Sequence, residues 1–284
     1  MKKKLLIALP VCIILSVIAF LAFHKGEDTL TYFQRKQVTE MFASVPFVDA
    51  KTGELIHPVA VAAANDSTGA EKNTFLWFLN RYDSVADYVK LDIAFSREGV
   101  PYLGESYDTV TQDSVKLERV FMHFLEQNDE TTGLVLNLCE YTSLDLLSAN
   151  IEQFGMQRRT IIVGVNEGSL SVVKHYFQKT AVLCTYDSDT ESSLEELAKA
   201  GADGIVCAPD KLTDSLVTKA DELGLIVWAD CGDELYGTVK AMNFCVDGVI
   251  SETPEMACYI FDAWCANVEN ADILADVVGI FYSK

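Results

Sequence analysis

The chain has 284 residues, half of them hydrophobic, with 42 acidic against 22 basic side chains and a formal charge of −20. That balance supplies ample apolar material for a core and excludes polyanions as general partners, because the field of the whole protein repels nucleic acid and anionic lipid surfaces. The eight cysteines favour structural thiols over a disulfide framework: Cys12 lies inside an apolar run, the odd number that remains cannot pair completely, and no CxxC or Cys/His ligand spacing occurs.

In chain order, Met1-Lys2-Lys3-Lys4 precedes an uncharged run of nineteen residues, Leu5 to Phe23. At about 1.5 Å per residue this comes close to spanning a hydrocarbon core of about 30 Å. The lysines would stay on the cytoplasmic side. No small-x-small cleavage site precedes His24, so residues 1–24 are expected to be an uncleaved single-pass anchor in the cell membrane, a signal peptide being the competing reading. Everything after it would lie on the extracytoplasmic side. Residues 25–57 read as a stalk or linker, and 58–284 as the folded part.

From Pro58 the pattern alternates between strand and helix. Short apolar runs predict strands at 59–63, 89–95, 134–138, 160–163, 181–184, 204–207, 225–228 and 248–250. Amphipathic stretches predict helices at 73–82, 115–127, 144–154, 169–177, 192–200, 213–223, 234–242 and 254–268. Eight such units without a glycine-rich phosphate loop after the first strand point to an α/β fold, a closed (β/α)8 barrel of the TIM type, rather than an open doubly wound sheet. Gly201-Ala202-Asp203-Gly204 and Val246-Asp247-Gly248 carry turn chemistry at two helix-to-strand joints.

One stretch carries a resemblance. Tyr88 to Ser106 reads YVKLDIAFSREGVPYLGES: an alternating strand, a turn at Arg97-Glu98-Gly99, and a second extended piece at 100–103. With Asn73-Thr74 upstream, and GADGIVCAPD, LGLIVWAD and VDGVISETP downstream, the segment 58–257 resembles the glycerophosphodiester phosphodiesterases. The resemblance implies a barrel that cleaves glycerophosphodiesters with two histidines, an arginine and a divalent metal, commonly Ca2+ or Mg2+. It also implies where those groups would stand. The first histidine falls on Ala63 and its arginine neighbour on Ala64, while the second histidine falls on Glu105. Two family glutamates fall on Lys72 and Lys90, and the Glu-x-Lys of the next strand falls on Asn137 and Cys139. Asp92, Gly99 and Pro101 are retained.

The residues themselves argue against the family's chemistry. Diester cleavage near neutral pH needs a proton donor and acceptor tuned to that range, normally histidine, and His24, His57, His123 and His175 all lie away from the C-terminal strand ends where barrel sites form. A hard divalent cation needs several converging oxygens, and two lysines replace two of the carboxylates. Lys72 and Lys90 are instead expected to pair with Asp92 and Glu105, their ammonium groups standing in for the lost cation.

Further mouth candidates are Asn137, Trp228 and Asp230, with Glu140, Asp187 and Glu252 after other strands. Trp228 suits either stacking on a sugar or glycerol face or packing at the barrel top. The leading expectation is a membrane-anchored, non-catalytic member of this family that needs no cofactor and binds a small polar ligand or a protein partner. The alternative is an active phosphoric diester hydrolase of lipid metabolism working through a rearranged site with Ca2+ or Mg2+. A glycoside-processing barrel that uses the mouth carboxylates is a third reading.

Overall fold

From Val59 onward, short β-branched and leucine-rich runs become strands in the computed structural model, and the amphipathic stretches become helices. The structure describes residues 59–63, 72–84, 86–111, 113–129, 131–188, 192–232, 235–255 and 257–258, all within the compact unit Phe47–Phe261. The expected anchor at 1–24, the stalk at 25–57, Ala64 and most of the expected helix 254–268 lie outside the described residues. No helix among the described residues is long and apolar enough to cross a membrane.

The strands are β1 (Val59–Ala62), β2 (Tyr88–Phe95), β3 (Pro101–Leu103), β4 (Gly133–Leu138), β5 (Thr160–Val165), β6 (Ala181–Thr185), β7 (Gly204–Cys207), β8 (Ile226–Gly232) and β9 (Gly248–Ser251). The helices are α1 (Phe75–Tyr82), α2 (Leu117–Gln127), α3 (Leu144–Gln153), α4 (Glu167–Tyr176), α5 (Ser192–Lys199), α6 (Asp214–Leu223) and α7 (Leu235–Asn243). Eight strands run parallel, and β1 pairs with both β2 and β9, which closes the ring as a (β/α)8 barrel. The extended piece after the Arg97-Glu98-Gly99 turn is β3, antiparallel to β2 with Ile93 opposite Leu103 and Phe95 opposite Pro101.

The alternation in β2 follows from this architecture. Val89, Leu91, Ile93 and Phe95 face outward and are buried beneath the helix layer. Tyr88, Lys90 and Asp92 face inward, at rising heights along the strand, since every second residue of a strand points to the same side. Low in the ring, Tyr88 packs edge-on against Trp228, ring centroids 5.9 Å apart, within an interior cluster that includes Val61, Val135, Leu183 and Ile250. Gly133 and Gly248 make room for these rings: a Cβ at Gly133 would fall 2.3 Å from the Tyr88 ring, and one at Gly248 2.5 Å from the indole nitrogen of Trp228. Two large rings over two missing side chains make a solid floor.

At the same N-terminal end, one device recurs three times. Asp87, Asp203 and Asp247 each immediately precede a strand, and each carboxylate accepts the N–H of a residue on the preceding neighbour in the ring. The bonds come from Ala60 at 2.8 Å, Val182 at 2.7 Å and Val227 at 2.7 Å. Each aspartate N–H donates back to the carbonyl of that same residue, so side chain and main chain together fix the register of β1 with β2, β6 with β7 and β8 with β9. Asp203 is also bonded to Lys174 at 2.8 Å. Asp203→Ala is therefore expected to cost about 1–2 kcal/mol, chiefly from the stranded Val182 N–H. Asp203→Asn, which retains an acceptor, should cost less. Urea midpoints of the two variants check the order.

Candidate functional site

The C-terminal strand ends form the mouth, where barrels of this type carry their chemistry. Asp92 is the most enclosed carboxylate there among the described residues, 7% exposed. It stands beside Asn137 on β4, the two being register partners, and the Asn137 amide donates to Asp92 Oδ1 at 2.7 Å. Lys72 comes from the segment just before α1, and its Nζ lies 3.0 Å from Asp92 Oδ2. The same ammonium donates to Glu105 Oε1. One cation thus bridges two carboxylates. Partial burial acts to lower the Lys72 pKa, but the hydrogen bonds and charges of Glu105 and Asp92 outweigh it and hold the pKa above the ordinary lysine value.

Lys90 behaves differently from the sequence expectation. It pairs with neither Asp92 nor Glu105; its Nζ donates to Asp230 Oδ2 on β8 at 2.9 Å. Between β2 and β8 in the ring stand β1 and β9, so this pair crosses the ends of two strands. The physical reason is depth: Lys90 lies two residues below Asp92 on the inward face, roughly 7 Å deeper along the strand.

Trp228 is a second correction. It is not a mouth residue: at 2% exposure it forms the floor with Tyr88, two residues below Asp230 on the same inward face. Its indole cannot reach a ligand at the rim.

The remaining candidates divide by environment. Glu140 Oε1 accepts the N–H of Tyr107 at 2.8 Å, which holds the 3-10 turn Tyr107–Thr109 against the end of β4. Asp187 is highly exposed and 3.8 Å from Lys211. Cys139 follows β4 at the mouth. The residue is exposed, yet partial desolvation of its thiol, reinforced by the Asp92 carboxylate, pushes the pKa up to about 11, so it is not poised as a thiolate nucleophile. Neither described histidine is at the mouth: His123 packs edge-on among Phe75, Phe78 and Tyr82, and His175 lies on α4 beside Tyr176.

Gly164 was not singled out from sequence, yet it shapes the site. It sits at φ +74° where the pairing of β5 with β6 shifts register, and a Cβ there would lie 2.5 Å from Asn137 Oδ1 and 2.7 Å from the Leu138 carbonyl. The hydroxyl of Tyr141 donates to the Gly164 carbonyl at 2.6 Å. The only available signal was a glycine inside a strand pattern, which marks a bulge or a close approach. Gly164→Ala is expected to cost about 2 kcal/mol from its backbone conformation alone. It would also push Asn137 off Asp92, and a lowered urea midpoint with an unchanged slope is the readout.

No protein-family model matches the chain, and no curated protein sequence matches it. Solved structures do match. A glycerophosphodiester phosphodiesterase from Agrobacterium tumefaciens aligns at 18% identity and a TM-score of 0.59, over 71% of this chain and 100% of that one. One from Parabacteroides distasonis aligns at 14% identity and a TM-score of 0.63, over 74% and 99%. A phosphodiesterase from Oleispira antarctica, solved with the product sn-glycerol-3-phosphate, aligns at 16% identity and a TM-score of 0.58, over 73% and 96%. This chain has the barrel fold of the glycerophosphodiester phosphodiesterases. The divalent metal expected of a glycerophosphodiester phosphodiesterase does not fit the side chains present. Asp92 is engaged by an ammonium and an amide, Glu105 by the same ammonium, and Asp230 by another. Among the described residues no group of three His, Cys, Asp or Glu side chains is placed to hold a metal ion.

Proposed function

We propose that this protein is a distant, non-catalytic relative of the glycerophosphodiester phosphodiesterases, held at the cell membrane by residues 1–24, whose barrel mouth binds a small polar ligand or a partner on the extracytoplasmic side. The observation that carries the reading is the Lys72 ammonium, bonded to both Asp92 and Glu105. Acid/base cleavage needs a group free to take and return a proton, and metal-assisted cleavage needs carboxylate oxygens open to a cation. The carboxylates here are instead each bonded to a lysine ammonium. The positions that the resemblance assigns to the two histidines hold Ala63 and Glu105. The charge of −20 supports a partner other than nucleic acid. The run from Leu5 to Phe23 supports the anchor.

The test offers the full chain glycerophosphocholine and an aryl phosphodiester with Ca2+, Mg2+ or Mn2+. The expected result is no turnover above buffer with any metal, and no metal-induced rise in melting temperature, since a ligand bound only by the folded state must raise it. Metal-dependent turnover that Asp92→Ala abolishes would establish the opposite reading, a phosphoric diester hydrolase with a rearranged site.

A further inference from the structure

The two ion-pair systems of the mouth leave a definite set of unused hydrogen-bonding groups. An ammonium has three donors. Lys90 spends one on Asp230, and Lys72 spends two on Asp92 and Glu105. Among the described residues this leaves donors on both lysines without an acceptor. On the acceptor side, Asp230 is bonded through Oδ2 and Glu105 through Oε1, so among the described residues Asp230 Oδ1 and Glu105 Oε2 have no donor. Asp230 and Glu105 are reachable, with side chains 39% and 58% exposed. Donors and acceptors are therefore interleaved among these five side chains, which together carry a single excess negative charge.

A phosphate or carboxylate ligand is poorly served by this set. Each ammonium it approaches already touches a carboxylate at about 3 Å, and like charges so close are costly away from bulk water. A hydroxyl is well served, because it donates to a carboxylate and accepts from an ammonium at the same time. A ring of hydroxyls would satisfy several groups of the mouth at once. Two exposed tyrosines follow mouth positions closely in the chain. Tyr107, 46% exposed, follows Glu105 by two residues; Tyr141, 38% exposed, follows Cys139 by two and is pinned through its hydroxyl to Gly164. Such rings offer an apolar face with a polar tip, which suits the C–H face of a sugar.

We propose that the mouth binds a neutral polyhydroxy ligand, a saccharide or polyol, in preference to an anion, and holds it without cleaving it. This names the ligand class for the non-catalytic reading above and rests on it. Lys90 and Asp230 are the central contacts, and Tyr107 is a flanking one.

The test uses the full chain in a polyoxyethylene detergent, which lacks a sugar headgroup. Saturation-transfer NMR is run with cellobiose, maltose, myo-inositol and glycerol as neutral probes, and with inorganic phosphate and glycerol 3-phosphate as anionic ones. Transfer to at least one neutral probe is expected, without competition from either anion. Its affinity should fall about tenfold in Asp230→Asn and about fivefold in Tyr107→Ala. Because Tyr107 is exposed, that variant keeps the test informative should a change at Asp230 unfold the barrel. Absence of transfer to every neutral probe, or displacement by phosphate, would overturn the proposal. Cleavage of a bound probe would instead refute the non-catalytic reading, and is seen separately as product signals.

Discussion

Trp228→Ala is expected to destabilise the barrel by about 4 kcal/mol, in the range for removing a large buried aromatic, and to lower the melting temperature by about 10 °C for a domain of this size. The indole is 2% exposed and lies across Gly248, with Tyr88 edge-on against it. Gly248 offers no side chain to fill the void from its side, so collapse onto the cavity depends on Tyr88 and the surrounding cluster and should be incomplete. Trp228→Phe retains most of the apolar volume and should cost about 1–2 kcal/mol. Far-ultraviolet circular dichroism melts of the two variants provide the measurement. Equal melting temperatures for Trp228→Ala and wild type would show that the ring is not part of the floor.

Lys72→Met should cost about 3 kcal/mol at pH 7. Removing one member of an enclosed ion pair strands its partner, and Asp92 would keep only the Asn137 amide. Adding Asp92→Asn removes the stranded charge, so the double variant should recover most of the loss. The difference appears as a coupling energy of 1 kcal/mol or more, in the range of about 0.5–3 kcal/mol for residues in contact. The pH dependence has a definite sign. The folded state holds the Lys72 pKa above its unfolded value, so the stabilisation is fully present below about pH 10 and is lost as pH rises through the folded pKa. The gap between wild type and Lys72→Met should therefore narrow as pH rises into the alkaline range. Additive single variants would mean that the bridge contributes nothing beyond its parts.

These two residues also show what the sequence could and could not convey. Strand and helix alternation was legible because a period of two against one of 3.6 is a local property, and eight such units suggest closure. The bridge from Lys72 to Asp92 and Glu105 was legible because two reversals of charge sign fell among positions that the resemblance places together. The partner of Lys90 was not. Asp230 lies 140 residues away in the chain and across two intervening strands of the ring, and nothing local distinguishes it from Asp187 or Glu252. Trp228 was placed on the correct face but at the wrong height. Alternation shows which side of a strand a residue faces; how deep it sits in the ring depends on strand stagger, which is set by pairing between distant segments. Gly164 was overlooked because its constraint comes from Asn137 and Leu138 on the neighbouring strand.

The triplet of Asp87, Asp203 and Asp247 has a consequence for how this barrel can change over time. All three fasten neighbouring strands at the end opposite the mouth. Substitutions at the mouth and at this fastening share no partners, so their energetic effects should simply add. A lineage can then replace Ala63, Lys72 or Lys90 without disturbing the strand register that these three aspartates fix. A fold secured from below leaves its upper rim free to drift from one trade to another.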